Sequence, residues 1–269
     1  MRESVETSLR NLRTTYLDVL LCHDVEFAAD PSQIIRETIP ELIRLRNIGV
    51  VRFVGISAYP LDSLLLFAKN QLHQNPNAPE PLDVILSYCH NTLHNTQLWK
   101  SYRRTEDGDA DDGPCFAKRA MQEAGVRNFI AASPLAMGLI TESGPPSWHP
   151  ASPELRDACR KCVQLCAQRR VDIADLALRY AFEAAAESGV QSHTTLIGFS
   201  SPQEVQKAVD SFLKFARRQR KKPPLAGEKS ADNLSQEEDA GQGDADLMAL
   251  IREILRPVYN STWKSPPDD

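Results

Sequence analysis

Short apolar segments alternate along this chain with longer stretches whose apolar residues return every three or four positions. The first segment, Tyr16-Leu17-Asp18-Val19-Leu20-Leu21-Cys22, is nearly continuous in apolar character and stops abruptly at His23-Asp24. A strand covered on both faces reads this way, as in a parallel sheet lying between helices. Four similar segments follow, at 50–57, 83–90, 128–133 and 194–198. Each is short, β-branched or aromatic, and ends in Ser, His or Gly.

Helical patterns lie between them. Residues 3–12 align Val5, Leu9 and Leu12 on one stripe. Residues 32–47 start from a Ser cap, stop at Gly49, and carry Pro40, which predicts a kink or interruption. A helix over 61–69 follows Pro60, and one over 114–123 ends at Gly125. Residues 152–169 set Cys159, Cys162 and Cys166 on one face. Residues 172–186 open on an Asp cap with Asp175 three positions on, close to a capping box. Residues 201–215 have Ser201 as cap and Pro202 in the first helical position. Strand–helix alternation of this kind predicts an α/β fold with a parallel sheet, closed or open. Five strands are countable, whereas a closed (β/α)8 barrel requires eight.

Two polar stretches break the rhythm. Residues 105–113, rich in Asp and Gly, read as a loop tip, and residues 221–245 are too polar to order themselves. The basic run 217–222 reads as a solvated helix end beside an acidic tail rather than a nuclear signal. A short amphipathic helix over 247–255 is expected to dock on the main body. The chain therefore divides into an α/β body at 1–220, a disordered insert at 221–246, and a C-terminal helix and tail at 247–269.

Composition narrows the picture modestly. An apolar share of 42% and a charged share of 25% suit a globular domain. The net charge of −5 gives no case for a nucleic-acid partner, and no apolar run approaches the roughly 20 residues that span a bilayer. The first residues lack an apolar core, so no secretory signal is expected and a cytoplasmic location is. Six cysteines in 269 residues are not a disulfide framework. Cys22 and Cys89 read as small buried hydrophobes, and the Cys159, Cys162 and Cys166 face reads as core, because no second ligand pair follows at zinc spacing. His90 and His94, four apart, lack a carboxylate partner at fixed spacing, so no metal is expected.

The polar residues at the strand ends are His23-Asp24, Ser57, His90-Asn91, Ser133, and Gly198 with Ser200-Ser201. In a parallel sheet all of them fall on one rim, where α/β folds carry their chemistry. The segments bearing these tips are S-L-R-N-L-R-T-T-Y-L-D-V-L-L-C-H-D-V-E, V-R-F-V-G-I-S-A-Y-P-L, D-V-I-L-S-Y-C-H-N-T-L, A-A-S-P-L-A-M-G-L-I-T and L-I-G-F-S-S-P-Q-E-V. Together with the late E-I-L-R-P-V-Y-N-S-T-W, the sequence resembles the aldo-keto reductase superfamily, in particular its sugar dehydrogenases.

The resemblance implies a (β/α)8 TIM barrel, here incomplete, binding NAD or NADP across its C-terminal face. It makes 16–23 the fourth strand and His23 the active-site histidine that orients and polarises the substrate carbonyl or hydroxyl. Ser57 matches the serine that holds the nicotinamide carboxamide. Ser133, Pro134 and Leu135, with Met137, Gly138 and Leu139, match the loop over the pyrophosphate. Gly198, Phe199 and Ser200, with Gln203 and Glu204, match the loop and helix start around the adenosine, where a helix N-terminus suits phosphate.

Departures from the pattern accompany the matches. The family's acid/base Tyr, with the Lys and Asp that lower its pKa, lies upstream of the histidine strand, in a region without counterpart here. Tyr16 begins that strand at the end away from the rim and is no substitute. Ala58 stands where asparagine is usual, no glutamine occurs near Leu86, and Ala132 replaces a common aromatic. Asn91 takes the place of another aromatic, and Ser200 replaces a cation that would favour a 2′-phosphate, which points to NAD. The resemblance implies an NAD(P)-dependent oxidoreductase that oxidises an aldose, of the D-arabinose or L-galactose kind, at C1 to the lactone. The alternative is a catalytically inactive remnant or an incomplete gene model whose Met1 is an internal methionine.

Overall fold

A computed structural model of the chain describes residues 1–73, 80–101, 103–105, 108–110, 113–221 and 237–265. The five expected strands are present as β1 (Leu17–Cys22), β2 (Val51–Ala58), β3 (Val84–Tyr88), β6 (Asn128–Ala132) and β7 (His193–Leu196). They form one parallel sheet in the order β1-β2-β3-β6-β7. Register runs from Cys22 against Ile56, through Ser57 against Leu86 and Tyr88 against Ala132, to Ala132 against Leu196. Every strand therefore delivers its C-terminal tip to the same rim. Among the described residues the sheet does not close, since β1 and β7 each pair on one side only.

The helices are α1 (Arg2–Leu12), α2 (Pro31–Gln33), α3 (Ile39–Asn47), α4 (Leu61–His73), α5 (Phe116–Ala124), α6 (Pro153–Gln168), α7 (Ile173–Glu187), α8 (Pro202–Lys221) and α9 (Glu237–Leu255). The starts at Asp172 and Pro202 follow the sequence signals, whereas the helix expected to start from a Ser32 cap is capped instead by Asp30, whose side chain accepts from the Ser32 N–H. Ser152 accepts from the Leu155 N–H, and Asp172 accepts from the N–H groups of Ala174 and Asp175. The interruption expected at Pro40 takes a definite form. Proline has no N–H for the carbonyl four residues back, and the turn before it widens into a π-helix over Ile34–Thr38.

Residues of one sheet face, including Val54, Ile56, Ile85 and Phe129, are buried in the main core with α3, α4 and α5. The opposite face carries Val19, Phe53 and Leu196, which remain 45%, 40% and 49% exposed. The reading of β1 as a strand covered on both faces is thus corrected: it is an edge strand, and Cys22 is only half-buried. Apolar character marked a surface suited to burial, not one with a neighbour already on it.

A second core joins α6 to α9. Cys159, Cys162 and Cys166 pack there with Leu247, Ile251 and Leu255. Burial pushes the Cys159 and Cys162 thiols up to about 12, so they stay protonated and inert at neutral pH. The helix expected over 247–255 begins ten residues earlier, at Glu237, inside the stretch read as disordered. The rest of that stretch, 222–236, lies outside the described residues. The loop tip expected over 105–113 belongs instead to an antiparallel hairpin, β4 (Arg103–Thr105) against β5 (Gly108–Ala110). Residues 106–107 and 111–112 of that loop lie outside the described residues.

Candidate active site

The rim is built from the strand tips outward. Just past β1, His23 is exposed and its Nδ1 lies 2.9 Å from Asp24 Oδ1. Asp24 adopts a left-handed backbone (φ 53°) that turns the chain inward, and its N–H donates to Ser57 Oγ at 3.4 Å. Ser57, at the end of β2, is buried. These residues line a cavity of about 440 Å³ together with Glu26, Tyr88, Met137, Trp148 and Trp263.

Ser133 reaches this cavity only through its neighbours. It hydrogen-bonds the side chains of Tyr88 and Cys89, and its Oγ accepts from the Met137 N–H at 3.1 Å. Ser133, Ala136, Met137 and Gly138 all have positive φ, a run that folds 133–141 into a tight knot. Pro134 and Leu139 are buried inside that knot, Leu135 and Gly138 are half-buried, and Met137 alone faces the cavity. Pro134 and Leu139 therefore shape the loop rather than touch its surroundings.

The β7 tip stands apart. Gly198 has an ordinary backbone and open space where a Cβ would go, so no turn demands a glycine there. Phe199 and Gln203 are exposed. Ser200 donates both its N–H (2.7 Å) and its hydroxyl (2.9 Å) to the Glu204 carboxylate, which lowers that carboxyl's pKa. Glu204 thus covers the start of α8 with its own negative charge.

The far wall of the cavity was not evident beforehand. Trp263 stacks on Tyr59 with ring centroids 4.7 Å apart, and its backbone N–H donates to the Tyr59 hydroxyl at 3.1 Å. Glu26 Oε1 accepts from the Tyr59 N–H (2.7 Å) and from the Ser265 hydroxyl (3.1 Å). Asn260 N–H donates to the His94 carbonyl at 2.7 Å. The one available signal was the late E-I-L-R-P-V-Y-N-S-T-W segment. A larger space of about 760 Å³ lies beyond the Tyr59–Trp263 pair and touches none of His23, Ser57 or Ser133.

His90 and His94 sit in a turn rather than on a helix, buried, with their Nδ1 atoms hydrogen-bonded to Ser87 and Thr92 hydroxyls. Among the described residues no group of three His, Cys, Asp or Glu is placed to hold a metal. Burial lowers both imidazole pKa values to about 3. An unfolded histidine titrates near 6.5, so below that pH the unfolded chain takes up protons that the folded chain refuses. Stability present at neutral pH is therefore lost as acidification proceeds. The urea midpoint is expected to fall between about pH 7 and about pH 5, above the range where carboxylates titrate. His94→Gln is expected to flatten that slope, and a midpoint unchanged by pH would contradict the assignment.

Comparison with known proteins follows the same lines. The sequence pattern of the aldo/keto reductase family matches residues 1–81 and 117–221. The L-galactose dehydrogenase of Arabidopsis thaliana is 35% identical over 265 residues, 98% of this chain and 67% of that protein. The D-arabinose 1-dehydrogenase of Saccharomyces cerevisiae is 34% identical over 212 residues, 79% of this chain and 57% of that one. Among solved structures, an aldo-keto reductase from Bacillus halodurans in its holo form superposes with a TM-score of 0.56 at 19% identity, covering 97% of this chain and 65% of its own. That likeness speaks to the fold. The chain spans about two thirds or less of the length of these proteins.

Proposed function

The chain belongs to the aldo/keto reductase family, and we propose that it supplies the substrate-orienting and cofactor-holding side of a site that oxidises an aldose at C1 to the lactone with NAD(P). The observation that carries this reading is the Ser57 hydroxyl. Among the described residues it accepts one long bond, from the Asp24 N–H, which leaves its proton available to a ligand in the cavity that Ser57 and His23 both line. Leu86, Tyr88 and Trp148 give that cavity apolar and aromatic walls, a fit for a nicotinamide ring whose carboxamide Ser57 would hold.

The cofactor, when bound, supplies the hydride acceptor. His23 orients the sugar: with Nδ1 directed at Asp24, Nε2 is left as an acceptor for the C1 hydroxyl. Ser133 positions Met137 and Tyr88 against the cofactor. Glu204 favours NAD, since a carboxylate at the α8 start can accept from a ribose hydroxyl and repels a 2′-phosphate. The names of the two sugar dehydrogenases among the relatives support an aldose substrate.

A second reading, a chain inactive by itself, draws on the phenols lining the cavity. Burial raises the pKa of both Tyr59 and Tyr88, the opposite of what a proton-transferring tyrosine needs. Fluorescence titration with NADH tests the main reading. Ser57→Ala is expected to weaken binding about three- to tenfold, the worth of one hydrogen bond. A folded wild-type chain that takes up neither NADH nor NADPH would sink it.

A further inference from the structure

Val25 is buried in the main core, and the short turn it opens, Val25–Phe27, carries Glu26 to the wall of the cavity of about 440 Å³ that His23 and Ser57 also line. The Glu26 carboxylate is held through one oxygen only. Oε1 accepts from the Tyr59 N–H at 2.7 Å and from the Ser265 hydroxyl at 3.1 Å, which fixes the group between the end of β2 and the C-terminal tail. Oε2 is shut off from bulk solvent, and no donor among the described residues reaches it. A buried acceptor without a donor costs free energy, more so when it carries charge, and each such group in a folded protein asks for a reason. Glu26 has no companion ligands for a metal among the described residues. The cavity it lines is the space from which a donor can come.

We infer that Glu26 Oε2 receives a hydroxyl of the bound sugar other than the one at C1, and that this bond makes the site choose polyhydroxy substrates over simple alcohols and aldehydes. The inference rests on the proposed aldose reading and deepens it. His23 is placed for the C1 hydroxyl, and what sets a sugar apart from a simple carbonyl compound is the row of donors on its other carbons. A carboxylate suits such a donor, because a charged acceptor makes a shorter and stronger bond than a neutral one. Two donors already orient Glu26, so binding the sugar costs it little side-chain freedom. Phe27 and Trp263 line the same cavity and offer apolar faces to the sugar's C–H groups. A site built to bond a hydroxyl rejects the analogue that lacks it, because the site's own buried group is then left unpaired.

The test is calorimetry on the full 269-residue chain, titrated with L-galactose and its monodeoxy analogues at C2, C3, C4 and C6, with and without NADH. One analogue is expected to bind the wild type about ten- to a hundredfold more weakly than L-galactose, the worth of a hydrogen bond to a charged group. Glu26→Gln puts an amide N–H where the acceptor stood. It is expected to lose the same factor on L-galactose and to bind that one analogue as the wild type does, so that the two losses do not add. Its NADH affinity stays at the wild-type value, since the cofactor's partner in the proposed site is Ser57. Ser265→Ala removes the tail's bond to Oε1 and leaves Oε2, so it is expected to weaken all the sugars alike and keep the ranking of the analogues. The inference is overturned if the wild type binds every analogue as it binds L-galactose, or if no sugar binds with or without NADH. It is equally overturned if Glu26→Gln binds L-galactose as the wild type does, or weakens the parent sugar and every analogue by one common factor, the mark of a residue that only holds the tail. Failure to take up NADH with the sugar ranking intact counts against the cofactor role of Ser57 instead.

Discussion

Given an aldose and NAD, the 269-residue chain is expected to form NADH slower than a full-length L-galactose dehydrogenase by about 10²–10⁴, the usual worth of general acid–base catalysis. The reason lies in which proton carriers reach the cavity. A phenol is useful near neutrality only when its pKa is pulled down from about 10 toward the working pH. Tyr88 and Tyr59 line the cavity, and burial moves both the other way, with no cation among the causes. Tyr16 begins at the opposite end of β1. His23 can orient a hydroxyl but holds its Nδ1 against Asp24. Rates followed by NADH absorbance should be low across the neutral range and rise toward alkaline pH. A rate matching the intact relative would show that another group moves the proton.

Gly55→Ala is expected to destabilise the sheet by about 3 kcal/mol, at the upper end for overpacking in a rigid core. A Cβ at Gly55 would meet the Val84 carbonyl oxygen at 2.0 Å, its carbon at 2.8 Å and Leu21 Cδ2 at 2.9 Å. The first two atoms are backbone of the neighbouring strand, so no rotamer relieves the clash, and β2 and β3 must separate where their register begins. Gly198→Ala, facing open space, is the matched control and should be near neutral. Urea midpoints decide the matter: equal losses for the two variants would mean the strands part more readily than their pairing suggests.

The strands and helix starts were legible because their causes are local. Alternating apolar blocks, the Asp172 cap and Pro202 each act within a few residues. The left-handed knot at Ser133–Gly138 was not legible, since Ala136 and Met137 do not advertise positive φ, and the resemblance marked only a loop there. Exposure of Val19 and Leu196 was not legible, because the sequence of a strand records what could cover it, not what does. The far wall of the cavity escaped for a different reason. Glu26, Tyr59 and Trp263 come from three distant segments, and no window along the chain contains the contact.

That far wall has an energetic corollary. Ser265 reaches Glu26 across 239 positions and Trp263 reaches Tyr59 across 204. Loop-closure entropy grows only logarithmically, about 0.6 kcal/mol per doubling, so such spans cost little more than shorter ones. What decides whether the latch is shut is the handful of hydrogen bonds and the ring contacts of Trp263 with Tyr59, His94 and His149 at its tip. The latch can therefore spring open by local unfolding while the strands stay paired. Amide exchange at Trp263 will run ahead of exchange at Ile56, and that side of the cavity will loosen long before the protein melts.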